Sequence, residues 1–92
     1  MTKTLRVVVS GRVQGVWYRA WTEKTAKSLG LHGWVRNRRD GSVEAVISGD
    51  PQAVESMLAA FWEGPELASV TAVDQHPHAD EVVPEFTVKS DR

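Results

Sequence analysis

The hydrophobic pattern changes period several times along the chain. Leu5-Arg6-Val7-Val8-Val9-Ser10 is short, β-branched and nearly continuously apolar, which suits a centrally placed strand. Residues 11–17 hold two glycines and no clear period, so they read as a loop. Tyr18, Trp21, Thr25/Ala26 and Leu29 recur at helical spacing, with Glu23 and Lys27 set to pair one turn apart on the outer face and Gly30 as the stop. A second strand runs from His32 to Arg36, and Asp40-Gly41 signals a hairpin, since this pair tolerates the positive φ of a tight turn.

From Ser42 to Ser48 apolar and polar residues alternate, with Val43, Ala45 and Ile47 on one side, as in a third strand. Asp50-Pro51 opens a second helix, Asp as N-cap and Pro at the first helical position. Val54, Met57, Leu58 and Phe61 form its buried stripe, and Gly64-Pro65 ends it. Leu67 to Val73 reads as a fourth strand, 76–81 as a polar loop containing Pro77, and Phe86-Thr87-Val88 as a short strand at an edge. Trp21 and Trp62 fall at spacings that suit core packing.

The order is β-α-β-β-α-β with an extra C-terminal strand. Two right-handed crossovers in that order give an α+β ferredoxin-like sandwich, a mainly antiparallel sheet with two helices on one face. At 92 residues, one domain spanning 1–92 is expected. This topology brings distant segments together. If strand 1 runs upward, the glycine loop and the start of the first helix lie at the top, and strand 2 runs up again to end there at Arg36-Asn37. Ligands of strand-helix units bind at such carboxyl ends.

Composition narrows the chemistry. Eleven Lys+Arg against twelve Asp+Glu leave a net charge of −1, which offers no basic field for nucleic acid or an anionic membrane. The first and third strands hold no aromatic residue on which an RNA-binding sheet would stack bases. There is no cysteine, hence no disulfide framework and no cysteine nucleophile. No apolar run approaches the ~20 residues of a membrane span, and a cytoplasmic monomer is the default expectation. Asp74, His76, His78 and Asp80 alternate like a metal-binding run, but Pro77 and the loop context favour a solvated turn.

The loop reads Gly11-Arg12-Val13-Gln14-Gly15-Val16-Trp17-Tyr18-Arg19. Its glycines let the chain curl so that successive amides point inward, the helix start adds free N–H groups, and Arg19 offers a fork for two oxygens of a tetrahedral oxyanion. This run, followed by Gly33-Trp34-Val35-Arg36-Asn37, three residues, Gly41, one residue, Val43, five residues and Gly49, resembles the two signatures of the acylphosphatase family, in order and at the right separation. Within the first signature the positions of Arg12 and Trp17 are open to any residue. The resemblance implies metal-independent hydrolysis of the carboxyl-phosphate bond of small acyl phosphates, without a cofactor, and inorganic phosphate or sulfate as a product-like ligand. It further implies that Arg19 binds the phosphate, that Asn37 positions the attacking water, and that the amides of Gln14, Gly15, Val16, Trp17, Tyr18 and Arg19 complete the cradle.

The chemistry is coherent on its own terms. The loop holds no Cys, His, Asp or Glu to carry a phosphoenzyme, so water attacks phosphorus directly. An amide at residue 37 can hold that water but cannot deprotonate it. No general acid is evident at this end of the sheet, so the leaving group must depart unprotonated, as a carboxylate can. Trp17 stands beside the loop, where it either contacts an acyl group or, as aromatic residues more often do, simply packs. Arg38 and Arg39 add positive charge near the entrance, either favouring anionic substrates or, the preferred reading, as a solvated turn. Asp91 or the terminal carboxylate of Arg92 are the candidates to orient Arg19. The competing class is a non-catalytic ferredoxin-like binding or regulatory module.

Overall fold

The computed structural model describes residues 1–90. The elements are β1 (Lys3–Arg12), α1 (Tyr18–Ser28), β2 (His32–Asn37), β3 (Val43–Gly49), α2 (Pro51–Glu63), β4 (Ser69–Pro77) and β5 (Phe86–Val88). One five-stranded sheet has the order β4-β1-β3-β2-β5. Every neighbouring pair is antiparallel except β2 and β5, which run parallel. Alternate residues of the strands, among them Val7, Val9, Val35, Val43, Ala45 and Ile47, meet Tyr18, Ala26, Val54, Met57 and Phe61 of the two helices in a single core. The β-α-β-β-α-β reading and the ferredoxin-like architecture are therefore observed, with α1 and α2 against one face of the sheet.

The opposite face is held by charge. Glu44, on the central strand, accepts from Arg36 Nε at 2.7 Å and Arg6 Nη1 at 2.9 Å. Burial works against ionising this carboxyl, but the hydrogen bonds from Arg36 and Arg6 outweigh it and hold the group below its ordinary range. The stability this contributes is present above the ordinary carboxylate range and is lost as the pH falls beneath it. No helix among the described residues is long and apolar enough to cross a membrane.

Several boundaries differ from the sequence reading. Strand β1 continues through Gly11 and Arg12, because β4 pairs with it beyond a bulge at Ser10/Gly11. Strand β4 starts at Ser69, not Leu67, and runs to Pro77, so His76 and Pro77 are strand rather than loop. An edge strand accommodates a proline, whose missing N–H interrupts no ladder. The β2–β3 connection spans five residues, 38–42, rather than a tight two-residue turn. Asp40 keeps a negative φ and only Gly41 turns left-handed, while the Asp40 carboxylate caps the backbone N–H of Ser42 at 2.9 Å. Trp62 is not in the core: it is 53% exposed, because Phe61 completes the buried stripe and the next residue points about 100° away.

Gly11 is where the sheet becomes the loop. Its φ is +115°, and a Cβ there would stand 2.2 Å from the Ser69 carbonyl oxygen. At Gly15 φ is +75°, yet a Cβ would meet nothing within 4 Å. Gly11→Ala is expected to cost about 2–4 kcal/mol, since strain and a backbone clash add, whereas Gly15→Ala costs only about 1 kcal/mol of strain. Thermal melting checks this: Gly11→Ala should melt lower by about 10 °C or more, and equal melting points for the two variants would contradict it.

Candidate active site

The segment from Val13 to Trp17 is pinned from below by Val13 and Val16, both buried in the core. Above them the backbone alternates: Gly15 and Trp17 are left-handed (φ 75° and 68°), while Val16 between them is not. Alternating handedness turns successive N–H groups toward one side and forms an anion-binding nest. Trp17 is also the N-cap of α1 and gives no side-chain cap, nor is there an acidic residue in the first turn. The contrast with α2 is direct, since there the Asp50 side chain accepts from Gln52 N at 2.9 Å. The N-terminal amides and the positive dipole end of α1 thus lack a built-in counter-charge among the described residues.

Tyr18 sets the direction of that helix. Its ring is buried against Phe61 and Trp21, with centroids 6.4 and 5.2 Å away, and its hydroxyl donates to the Phe61 carbonyl at 2.7 Å. Burial pushes this phenol well above its ordinary range, so it remains a donor. Thr22, wholly buried, donates back to the Tyr18 carbonyl at 2.8 Å. The helix start is therefore fastened to the end of α2, and Arg19, the next residue, stands on a fixed turn.

Asn37 ends β2 on the helix-facing side of the sheet and is 9% exposed. No described residue hydrogen-bonds its carboxamide. No buried side-chain polar atom among the described residues lacks a partner either. The amide must therefore reach open space, and that space is a cavity of about 470 Å³ lined by Gly15, Trp17, Tyr18, Arg19 and Asn37, with Val13, Ala20, Glu23 and Val88. The topology thus brings Arg19 and Asn37 to one cavity, as expected.

Two of the predicted loop residues stand outside its lining. The Val16 side chain belongs to the core. The Gln14 side chain reaches across to the β2–β3 connection, where its amide donates to the carbonyls of Arg38 at 2.7 Å and Ser42 at 2.9 Å. Gln14 thereby ties the loop to the connection that immediately follows Asn37.

The sequence reading missed four of the lining residues. Glu23 was assigned only to the outer face; it does pair with Lys27 at 3.4 Å, but it also lines the cavity. It lies one turn beyond Arg19, and that spacing could have placed it there. Ala20 follows from the same helix. Val88 arrives because β5 runs parallel to β2 and so ends at the same end of the sheet; Val13 forms part of the floor. Glu23 thus brings a carboxyl to the end of the sheet where the sequence reading found no general acid evident. Trp17 is 79% exposed on the rim, as expected. Asp91 and Arg92, the candidates to orient Arg19, lie outside the described residues. Asp74 and His76 are exposed on β4, and no group of three or more His, Cys, Asp or Glu among the described residues is placed to hold a metal.

Comparison with known proteins bears on the whole chain. The acylphosphatase family model matches residues 5–88. An acylphosphatase of Rhodospirillum rubrum is 55% identical over 87 residues, covering 95% of this chain and 96% of its own. The structure of an acylphosphatase from Coxiella burnetii superimposes with a TM-score of 0.91 at 36% identity, covering 96% of this chain and 93% of the other. The crystal structure of acylphosphatase from Bacillus subtilis gives 0.84 at 33% identity, covering 97% and 99%. With the family model spanning all seven secondary-structure elements in part or whole, and near full-length relatives at such identity, the chain belongs to the acylphosphatase family.

Proposed function

We infer that the protein is an enzyme that hydrolyses the carboxyl-phosphate bond of acyl phosphates, and that the cavity beneath the Gly15–Arg19 turn is where it does so. Family membership and the names of the relatives support the reaction. The observation that carries the assignment of the site is the Asn37 carboxamide, without a hydrogen-bond partner among the described residues, opening into the same cavity as Arg19 and a helix start that has no side-chain cap among them. In this reading, Arg19 and the loop amides from Gln14 to Arg19 hold the phosphoryl oxygens, and Asn37 holds a water in line with phosphorus.

The water oxygen forms the new P–O bond, the P–O bond to the acyl group breaks with its electron pair on the carboxylate, and the water's protons pass to phosphate and solvent. Phosphoryl transfer of this kind needs positioning and charge stabilisation more than proton transfer. Glu23 is not needed as an acid, because a carboxylate leaving group departs without a proton. Glu23→Gln should therefore keep kcat on acetyl phosphate within about threefold of the native value, whereas loss of a general acid would cost about 10²-fold or more.

Gln14 acts as a positioning residue in this scheme. Gln14→Ala removes two hydrogen bonds that hold the loop to the connection after Asn37, so it is expected to lower kcat about tenfold or more and stability by about 1–2 kcal/mol. Native kcat in this variant would detach the link from function.

The class of reaction is tested with acetyl and benzoyl phosphate, phenyl phosphate serving as control. The acyl phosphates should turn over, and phenyl phosphate, whose leaving group has a pKa near ~10 instead of ~4, should react about 10³-fold or more slowly. Binding of inorganic phosphate without turnover of either acyl phosphate would favour the non-catalytic module instead.

A further inference from the structure

Arg38 and Arg39 read in the sequence as a solvated turn, yet in the fold they do not stand apart. With Arg36 and Asp40 they line a shallow cleft of about 590 Å³. Arg36 alternates along β2 with the core residue Val35, so its side chain leaves the sheet by the face opposite the helices. None of the four residues lines the catalytic cavity.

The cleft has a fixed frame. Arg36 is only 23% exposed and is held by Glu44, at 2.7 Å through Nε and 2.6 Å through Nη2. The connection carrying the other two arginines is closed by Arg38 N–H donating to the Ser42 carbonyl at 2.9 Å and Gly41 N–H to the Arg38 carbonyl at 3.2 Å. Gln14 fastens the same connection from the neighbouring loop. The backbone beneath these cations therefore needs no ordering when a ligand arrives.

Its charge is unbalanced as well. Glu44 is shared between Arg36 and Arg6, so one carboxylate answers two guanidinium groups. Asp40 gives one oxygen to the backbone and hydroxyl of Ser42 and reaches Arg38 with the other only at 3.9 Å. Arg39 is exposed and pairs with no described residue. Four arginines thus face two carboxylates here, in a chain whose net charge is −1.

The lining also selects the class of ligand. It holds no apolar side chain, so a peptide or lipid chain finds nothing against which to bury itself. Trp34 shares this face with Arg36, but Arg36 at 4.9 Å and Lys89 at 4.7 Å already lie over its ring, which is engaged by cations rather than offered to a nucleobase. What remains are guanidinium forks, each of which fits two phosphoryl oxygens. We propose that the cleft of Arg36, Arg38 and Arg39 is a second anion site, separate from the catalytic cavity, for a compact chain of linked phosphoryl groups, either free or as the tail of a nucleotide. A single phosphate meets one fork at a time; linked groups meet several.

Tripolyphosphate, adenosine triphosphate and inorganic phosphate, each titrated without divalent metal at physiological salt and followed by amide NMR, test this. Tripolyphosphate should shift the amides of residues 36–42 saturably and bind there about tenfold more tightly than inorganic phosphate. Adenosine triphosphate should bind there no more tightly than tripolyphosphate. Arg38→Gln/Arg39→Gln should weaken tripolyphosphate at these amides about tenfold or more. The charge-matched Arg12→Gln/Lys24→Gln, which alters exposed residues outside the cleft, should weaken it less than about twofold, since salt screens distant charges. Arg39→Gln alone should weaken it about threefold and carries the test if the double variant does not fold. Shifts confined to residues 13–19 would place the anion in the catalytic cavity and overturn the second site. Equal losses in the two double variants would reduce the cleft to a diffuse field and overturn it too. Tighter binding of adenosine triphosphate than of tripolyphosphate would overturn the assignment to the phosphate chain. None of these results bears on the hydrolytic reading.

Discussion

Replacing Arg19 by lysine is expected to lower kcat/KM on acetyl phosphate by about 10³-fold and to weaken inhibition by inorganic phosphate about tenfold or more. The charge survives in this variant, but the planar fork does not. A guanidinium grips two phosphoryl oxygens in fixed relative positions, whereas an ammonium is a single mobile point charge. The distinction matters most in the transition state, where charge spreads over the equatorial oxygens and the donors must already be in place. Residue 19 stands in the first turn of α1, beside the buried and hydrogen-bonded Tyr18, so its backbone position should not change. Steady-state kinetics, phosphate inhibition and a melting curve together separate loss of grip from loss of fold. A well-folded lysine variant within about threefold of native kcat/KM would contradict a geometric role for the fork.

Asn37→Ala should separate turnover from binding. Removing the carboxamide is expected to lower kcat by about 10²-fold while inorganic phosphate still binds with near-native affinity, because the group steers water and does not hold the anion. The variant should also be nearly as stable as the native protein. No described residue hydrogen-bonds the amide, so truncation strands no partner in the core. An Asn that served the fold would show the reverse pattern, with a lowered melting point and little change in kcat. Asn37→Asp refines the result. It keeps the shape, loses the N–H donors and brings a negative charge beside the phosphoryl group, so kcat and phosphate affinity should both fall.

Much of this arrangement was legible before any coordinates. The short β-branched run at Leu5–Ser10, the alternation through Val43–Ile47 and the stop at Gly64-Pro65 each carry their own local signal, and their order admits few topologies. Topology alone then predicted that Arg19 and Asn37 would share one end of the sheet. What stayed hidden depends on side chains crossing between elements. Nothing local marks the Gln14 amide as bonded to carbonyls 24 and 28 residues away. Val88 reaches the cavity only because β5 pairs parallel with β2, and a three-residue strand has too little pattern to declare its partner. Trp62 misled because a large aromatic near a helical stripe reads as core, although the stripe closes at Phe61. The handedness of Trp17 was unreadable for the opposite reason: the local rules favour glycine at such a backbone, and the sequence breaks them.

A crystal structure with phosphate or sulfate soaked in probes the shared cavity most directly. The ion should sit against the amides of residues 14–19, with two of its oxygens on the Arg19 guanidinium and the Asn37 carboxamide facing it across space for one water. An ion bound elsewhere, with this cavity left open at saturating concentration, would contradict the account.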